Sequence, residues 1–455
     1  MPHPVSSTPA VAEELHPLAG LVDFETDFIL CKPAQPEIKV SQLKPAFFFL
    51  PDNQIFMDKT LPETEPLFLN KIVPNLFSPT DFVDLHERVY APGYDYPEGT
   101  YNSKGARISL THTNLNIPAW RHHLAGYYRE ELADYLEYGF PVGVSLDGQT
   151  VPCLKNHSSS YMFYSYLDKF CAKEITKGGL TGPFSNIPFS QYQLSPMMTA
   201  TKKPSGRRPV FDASYGSSLN KITPSDYYLE FQAVYDFPKL DCLESLILST
   251  GHGALMWKRD LQGYFLQIPL DPVDYWRTGF IWRTYFFFFV AYMFGLRHAG
   301  WAGQAITSAV IWIHKRLGLE YDGQEFNALN YSDDLAGCEE GDRATVSYER
   351  IASLLEELGL KEATDKASPP ATEMEYLGVC FNSITFKKFI SPSKIAELKD
   401  LLFTWLKKST CTKRCLQSLT GKLLWVARCV TYSRCFLSRL LSGLKTLQEQ
   451  HHKLT

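Results

Sequence analysis

The chain has 455 residues, of which 45% are hydrophobic and 21% are charged. These values are typical of globular proteins and exclude a chain that is disordered throughout, and the length suits about two to four domains. The formal net charge of −4 is an average, because residues 1–100 carry a net charge of −9 and residues 401–455 a net charge of +9. Such asymmetry indicates an acidic arm and, at the other end, a basic binding surface.

The sequence predicts no secretory signal peptide. The first residues lack a basic stretch followed by an apolar run, and the most apolar segment, 285–296, is too short to span a bilayer. The ten cysteines form no C-x-x-C pair, and no histidine follows Cys411 and Cys415 at the spacing of zinc ligands. We therefore expect an intracellular protein with reduced thiols and without a membrane partner; the pattern does not distinguish cytoplasm from nucleus.

Secondary-structure signals strengthen after the first quarter of the chain. Residues 1–115 are acidic and rich in proline with few periodic segments, which predicts an irregular N-terminal extension. Residues 120–139 then predict a helix. Its apolar face comprises Leu124, Tyr128, Leu132 and Leu136. The sequence PSG at 204–206 predicts a hairpin turn between two strands. Four cations surround that turn: Lys202, Lys203, Arg207 and Arg208.

The middle of the chain predicts a mixed α/β domain. Strand signals fill 253–296, and a helix with an apolar stripe is predicted over 301–317. The polar break NYSDDLAG at 330–337 separates two apolar flanks, as a hairpin tip does. An amphipathic helix over 343–358 and a short strand pair around 375–386 follow.

The basic end of the chain predicts helices alone. The first begins at Pro392 behind a Ser391 cap, the second near Thr412 and the third near Ser433. Apolar stripes accompany their basic residues: Leu416, Leu419, Leu423, Phe436, Leu440 and Leu444. These cations indicate either a nucleic-acid surface or an ordinary solvated helix face.

Three aspartates combine into a candidate metal site. Asp260 ends an apolar strand, whereas Asp333 and Asp334 lie in the predicted hairpin tip. Adjacent acids in a sharp turn repel each other unless a cation neutralises them, and Mg²⁺ favours carboxylate ligands together with substrate phosphates. An Asp-Asp turn by itself is more often a solvated turn.

Six segments occur in one characteristic order. They are RRPVFD at 207–212 with SLN at 218–220, WKRD at 257–260 with IPL at 268–270, FGLRHA at 294–299, YSDD at 331–334, LGL at 358–360 with Lys366, and EYLGV at 375–379. In this order they resemble the polymerase motifs of reverse transcriptases from long-terminal-repeat-type and DIRS-like retroelements. Flanking segments resemble the DIRS-like group more than retroviral enzymes: YGFPVG at 138–143, GPF at 182–184, SP at 195–196 and the basic stretch 411–441.

The resemblance implies an α+β fold shaped as a right hand. Residues 116–390 would form the fingers and a palm of antiparallel sheet and helices, and residues 391–455 a basic helical thumb or connection. The implied partners are an RNA or DNA template with its primer and deoxynucleoside triphosphates. No acidic cluster of an RNase H region follows the thumb. The sequence indicates no oligomeric state.

The resemblance also assigns roles to individual residues. Asp260, Asp333 and Asp334 would hold two Mg²⁺ ions, with Mn²⁺ as an alternative. Lys202 or Lys203, together with Arg208, would bind the incoming triphosphate.

Further roles concern the sugar, the leaving group and the primer. Phe265 would exclude a ribose 2′-hydroxyl, with a plain core aromatic as the alternative, and Gly295 would allow close backbone approach to template and nucleotide, with an ordinary turn glycine as the alternative. Lys366 would protonate pyrophosphate, although a lone lysine is usually solvated. The primer grip would comprise Tyr376, Leu377 and Gly378, which a buried hairpin explains nearly as well.

The expected function is RNA-directed DNA polymerisation in a retrotransposon. The main alternative is a domesticated or truncated copy that binds nucleic acid without catalysis. Synthesis of RNA is a third interpretation, which Phe265 disfavours.

Overall fold

Helices alternate with antiparallel strands along the chain. The computed structural model describes residues 113–129, 131–144, 154–187, 189, 192–202, 206–216, 218–228, 231–233, 235, 237–430 and 433–446, and the backbone of 47–49, 55–57 and 451–453. Within these ranges, no helix is both long and apolar enough to cross a bilayer. The chain divides into two units, one of residues 39–388 and one of residues 1–38 and 389–455.

The described helices number eleven. They are α1 (Ile117–His123), α2 (Leu132–Tyr138), α3 (Ser158–Met162), α4 (Tyr164–Lys177), α5 (Leu219–Ile222), α6 (Leu240–Thr250), α7 (Ala299–Asp322), α8 (Gly341–Glu357), α9 (Pro392–Leu406), α10 (Lys413–Val426) and α11 (Arg434–Thr446). Short 3₁₀ helices cover Tyr264–Gln267, Pro272–Arg277 and Thr364–Lys366.

The described strands are mostly short. They are β1 (Phe47–Phe49), β2 (Ile55–Met57), β3 (Leu180–Phe184), β4 (Met197–Lys202), β5 (Gly206–Phe211), β6 (Tyr227–Tyr228), β7 (Phe231–Gln232), β8 (Leu255–Asp260), β9 (Gly279–Trp282), β10 (Tyr285–Phe289), β11 (Ala328–Tyr331), β12 (Asp334–Glu339), β13 (Ser368–Ala371), β14 (Glu373–Tyr376), β15 (Val379–Asn382), β16 (Lys387–Phe389), β17 (Thr410–Thr412) and β18 (His451–Lys453).

One antiparallel sheet, in the order β11-β12-β8-β13, carries the candidate site. Helices α6, α7 and α8 pack against its strands. Trp257 of β8 is fully buried and lies directly opposite Gly337 of β12. A Cβ atom at residue 337 would overlap the Trp257 indole, so this glycine makes room for the largest side chain of the sheet.

A second sheet, β3-β10-β9, has the apolar strand β10 at its centre. Phe287 and Phe280 are fully buried and stacked, with ring centroids 5.3 Å apart. Since the middle strand is covered on both faces, its sequence reads as a continuous aromatic run rather than as an alternation. This sheet shares one hydrophobic core with α7 and with the first sheet.

The unit that contains residues 389–455 has a small core of its own. Cys411, Leu416 and Leu419 are buried there, and side chains from α9, α10 and α11 pack around them. Helix α10 begins as predicted, because the Thr412 hydroxyl accepts a hydrogen bond from the Cys415 amide at 3.2 Å.

Most predicted elements of the middle region are confirmed, including the strands within 253–296, the helix after residue 300 and the hairpin at YSDD. The helix predicted over 120–139 is wrong as a single element. It is divided into α1 and α2 around Gly126, whose φ of +80° is left-handed. Tyr128, expected on the buried face, is 75% exposed as a consequence.

Two further expectations were incomplete. Strands β1 and β2 pair within the region predicted to be irregular; residues 58–112 lie outside the described ranges. The basic end is not purely helical, because β17 pairs with β18. Phe436 was predicted to belong to the apolar stripe of the last helix, α11, but its side chain is 82% exposed. The buried face of α11 is therefore narrower than the sequence suggests.

Candidate active site

The three aspartates meet at one end of the first sheet. Asp260, the last residue of β8, lies directly opposite Asp334, the first residue of β12. The Leu261 amide donates a hydrogen bond to the carbonyl oxygen of Asp333 at 3.2 Å. Backbone pairing therefore brings together the carboxylates that the sequence places in separate segments.

The turn that carries Asp333 is held from the side by α7. Tyr331 and Asp334 pair across a two-residue loop in which Ser332 has a φ of +52°, and side chains other than glycine rarely adopt this conformation. The Gln304 side chain accepts a hydrogen bond from the Ser332 amide at 3.0 Å. Beneath the turn, Asn330 donates to the Thr307 hydroxyl at 2.9 Å. Helix α7 thus stabilises the strained turn.

The cluster is electrostatically unbalanced without a cation. Burial, followed by repulsion from Asp333 and Asp260, raises the pKa of Asp334 to about 7. The Lys366 ammonium lies 2.9 Å from both carboxylate oxygens of Asp260. Burial acts to lower the pKa of Lys366, but its hydrogen bond with Asp260 and the nearby carboxylates raise that pKa overall. Lys258 and Lys366 therefore offset part of the negative charge of the site.

The donor chemistry suits a hard divalent cation. Asp260, Asp333 and Asp334 offer carboxylate oxygens, which are the ligands that Mg²⁺ prefers. A bound cation would also lower the raised pKa of Asp334, because positive charge favours the ionised carboxylate. Among the side chains the structure describes, no group of three His, Cys, Asp or Glu residues is gathered tightly enough to hold an ion. The three aspartates thus fit the ion by ligand type, whereas their spacing in this structure does not form a complete site.

An aromatic pair forms at the 3₁₀ helix that follows β8. Phe265, in the 3₁₀ helix after β8, meets Phe294 edge-on, with ring centroids 4.7 Å apart. The Arg208 guanidinium of β5 lies 5.2 Å from the Phe294 ring centroid. Phe294 thus connects two of the predicted nucleotide-binding residues. It was not singled out from the sequence, although its position directly before Gly295 in the FGLRHA segment was a usable signal.

Gly295 has a structural reason to be glycine. Its φ is +102°, and a Cβ atom there would overlap the carbonyl oxygen of Phe211 at the end of β5. Asn220 holds the same loop, because its amide donates to the Gly295 carbonyl at 2.6 Å and its side-chain oxygen accepts from the Arg297 amide at 2.9 Å. This geometry accounts for the glycine without a ligand.

The two lysines of the first hairpin are placed less fully. Lys202 is exposed at the end of β4, opposite Gly206. Lys203 lies outside the described residues. The turn predicted at 204–206 is flanked by the paired strands β4 and β5, which confirms the hairpin itself.

The predicted primer grip forms a tight hairpin between β14 and β15. Tyr376 pairs with Val379 across Leu377 and Gly378, which both have positive φ. The Tyr376 side chain is buried, and burial, followed by the charge of Asp334, raises its pKa. Its hydroxyl has no hydrogen-bond partner among the described atoms. This burial favours a core role for Tyr376.

Comparisons with known proteins identify the fold but no family. No protein-family model and no curated protein match the sequence. A foamy viral protease–reverse transcriptase in complex with double-stranded DNA, labelled dRH, is 18% identical with a TM-score of 0.51 over 69% of this chain and 48% of that chain. Another double-stranded DNA complex is 16% identical with a TM-score of 0.51, over 68% of this chain and 58% of that one.

A third structure, in complex with an RNA/DNA hybrid, is 16% identical with a TM-score of 0.50 over 75% of this chain and 42% of that chain. This chain therefore spans about half the length of these structures. The similarities show that its helices and antiparallel sheets adopt a reverse-transcriptase-like fold.

Proposed function

We propose that the protein is an RNA-directed DNA polymerase of a retroelement, of the DIRS-like or long-terminal-repeat type. The observation that carries the proposal is the meeting of Asp260, Asp333 and Asp334 at one sheet end, with Lys366 in contact with Asp260. In the right-hand arrangement, the first sheet is the palm, the β4–β5 hairpin belongs to the fingers and residues 391–455 form the thumb.

The proposed reaction joins a primer to a nucleotide. The primer 3′-oxygen attacks the α-phosphorus of a deoxynucleoside triphosphate, a phosphodiester bond forms, and the bond to the β-phosphate breaks to release pyrophosphate. Two Mg²⁺ ions held by the three aspartates would acidify the 3′-hydroxyl and neutralise phosphate charge when bound. Mn²⁺ is the alternative metal.

The chain's own residues supply the rest. Arg208, with Lys202 or Lys203, binds the triphosphate by charge-assisted hydrogen bonds. Phe265 excludes the ribose 2′-hydroxyl, and Lys366 donates a proton to pyrophosphate as it leaves. Gly295 keeps the loop beside the nucleotide free of a side chain. Leu377 and Gly378 hold the primer end, and Tyr376 anchors their hairpin in the core.

Template and primer are the proposed partners. The similar foamy viral proteins were determined with double-stranded DNA and with an RNA/DNA hybrid, and the net charge of +9 over residues 401–455 is suited to a phosphate backbone. A duplex with a recessed 3′ end is therefore the expected substrate.

Primer extension on an RNA template with Mg²⁺ tests the proposal. Wild-type protein should extend the primer with deoxynucleotides, whereas Asp333→Asn should lose activity by at least about 10²-fold, the scale of one missing electrostatic group in an active site. Glu356→Gln removes an exposed carboxylate from α8 and serves as the matched control. Equal extension by wild type and Asp333→Asn contradicts the proposal.

A nucleic-acid-binding protein without catalysis is the second candidate. The observation in its favour is the Lys366–Asp260 ion pair, which places an ammonium where the proposed metal ion would meet Asp260. Gel-shift titrations in EDTA beside the extension assay separate the two functions, because this candidate predicts binding of primer–template with no extension.

A further inference from the structure

Arg259, the residue before Asp260, is a buried cation with three defined contacts. Its exposure is 7%. One terminal nitrogen donates to both carboxylate oxygens of Glu362, at 2.6 and 2.7 Å. Its Nε donates to the carbonyl oxygen of Tyr348 at 3.1 Å, and the guanidinium lies 3.7 Å from the Tyr348 ring centroid. The guanidinium thus joins α8 to the segment that contains Glu362.

That segment leads directly to Lys366. Leu261 and Glu362 form an antiparallel bridge. The Ala363 amide donates to the carbonyl oxygen of Asp260 at 2.8 Å. The ladder then stops, because Thr364–Lys366 forms a 3₁₀ turn before β13 resumes pairing with β8. Lys366 reaches Asp260 from this interruption, so no strand pairing of its own fixes its position.

Neighbouring residues of a strand point to opposite faces of the sheet. Asp260 faces the carboxylate cluster, and Arg259 faces α8, where Tyr348 lies. The Arg259–Glu362 pair therefore holds residues 361–366 on the face of the sheet that α8 covers. Lys366 contacts Asp260 on the opposite face, where the carboxylate cluster lies.

We propose that Arg259 and Glu362 are positioning residues that hold the Thr364–Lys366 turn so that the Lys366 ammonium stays on Asp260 and, in the reaction, beside the leaving pyrophosphate. The second half of this inference rests on the proposed polymerase function. A pair kept for stability alone is a weaker explanation, because well-packed apolar side chains commonly replace buried ion pairs without loss of stability.

Lysine acylation footprinting tests the positioning without any catalysis. Wild-type protein and Glu362→Gln are treated with limiting acetic anhydride at one pH, and modification of each lysine is measured by mass spectrometry. Glu362→Gln should raise the Lys366 rate by about tenfold, the factor that corresponds to about 1.4 kcal/mol. Lys177, at the end of α4 and outside the fastened segment, should react as in wild type. Glu356→Gln removes an exposed carboxylate of α8 and is the matched control.

Single-turnover primer extension tests the consequence. Glu362→Gln should lower the maximal rate by about tenfold, part of the range of general-acid catalysis, and leave the apparent nucleotide affinity unchanged. The effect should disappear when Lys366→Gln is already present, since the pair acts through that lysine. Arg259→Lys keeps the charge and removes the bond to Tyr348, so it should fall between wild type and Glu362→Gln.

The outcomes separate the two hypotheses. Unchanged Lys366 labelling in both Glu362→Gln and Arg259→Lys overturns the positioning role whatever the activity. Additive effects of Glu362→Gln and Lys366→Gln on the rate overturn it as well. If Lys366 labelling rises in Glu362→Gln but the wild-type protein extends no primer, the positioning of Lys366 is supported and the proposed polymerase function is rejected.

Discussion

In the proposed function, Phe265 is the ring that excludes a ribose 2′-hydroxyl. It meets the Phe294 ring edge-on. We expect Phe265→Val to improve the efficiency of ribonucleotides relative to deoxynucleotides by roughly 10- to 200-fold, the range for a small change in pocket size. Competitive single-nucleotide incorporation measures that ratio.

The control for this variant is Tyr264→Phe, which alters the adjacent buried aromatic without opening space. It should leave sugar discrimination unchanged. If Phe265→Val and wild type discriminate equally, Phe265 is a core aromatic, which is the simpler explanation that its sequence position also allows.

His314 on α7 makes a prediction about pH and stability. The ring is fully buried, stacks on Phe326 with centroids 4.8 Å apart, and lies 3.0 Å from the Ser347 hydroxyl through Nε2. Burial, with a smaller contribution from Arg343, lowers the pKa of His314 to about 3. The native state therefore stays unprotonated at pH values where the unfolded chain takes up a proton.

Stability consequently falls as pH falls below the unfolded pKa of about 6.5. Between pH 7 and pH 5 wild type should lose about 2 kcal/mol of unfolding free energy more than His314→Leu. Urea denaturation of both proteins at several pH values measures the difference, in which contributions from other titrating groups cancel. Parallel pH profiles would show that His314 is protonated in the folded protein.

At the scale of the structural elements, the turn of the β9–β10 hairpin consists of two residues that rarely adopt the backbone conformation it requires. Arg283 and Thr284 both have positive φ, +48° and +68°, and type I′ hairpins favour Asn-Gly there. Asp168 on α4 compensates, because its carboxylate accepts hydrogen bonds from Arg283 at 2.7 and 2.6 Å and from the Trp282 indole at 2.8 Å. A buried network thus holds a turn that the local sequence disfavours.

We expect Thr284→Gly to stabilise the protein by about 1 kcal/mol, because glycine avoids the cost of a left-handed conformation. Denaturant unfolding measures the change. Thr284→Ala is the matched control, since alanine removes the branched side chain but keeps the Cβ atom, and it should gain less. A loss of stability in Thr284→Gly would mean that the threonine side chain contributes more than its backbone strain costs.

At the scale of the whole molecule, charge is divided between the two units. The exposed cations of α10 and α11 and the loop between them belong to the unit proposed to follow the duplex. Replacing Arg428 and Arg439 by glutamine should reduce the slope of log K against log salt by about 0.9 for each phosphate that is no longer neutralised. Duplex DNA binding measured between low and moderate salt gives that slope.

Lys169→Gln is the control, because it removes one exposed charge from α4 in the other unit. It should leave the slope as in wild type. If Lys169→Gln reduced the salt slope equally, phosphate binding would be spread over both units. If the arginine variants left the slope unchanged, these arginines would lie on a solvated helix face that does not bind DNA.

The sequence predicted the long periodic or apolar segments correctly. It did not predict the break in the first helix or the short strand pair near the end of the chain. The helix at 301–317 and the amphipathic helix at 343–358 appear as α7 and α8, because each buries a face that its own sequence marks. The split of the helix predicted over 120–139 lies at a glycine with left-handed φ, Gly126. The pairing of β17 with β18 depends on contacts outside the local window. Propensity cannot anticipate such contacts.

The sequence by itself determined that Asp260, Asp333 and Asp334 occur in strand-end and turn contexts, and that the basic residues concentrate at one end. Only the tertiary structure decided that Asp260 faces Asp334 in register, that Lys366 closes on Asp260 and that Arg259 pairs with Glu362. The physical reason is that strand pairing brings distant residues together, whereas residue type and periodicity report only on neighbours along the chain.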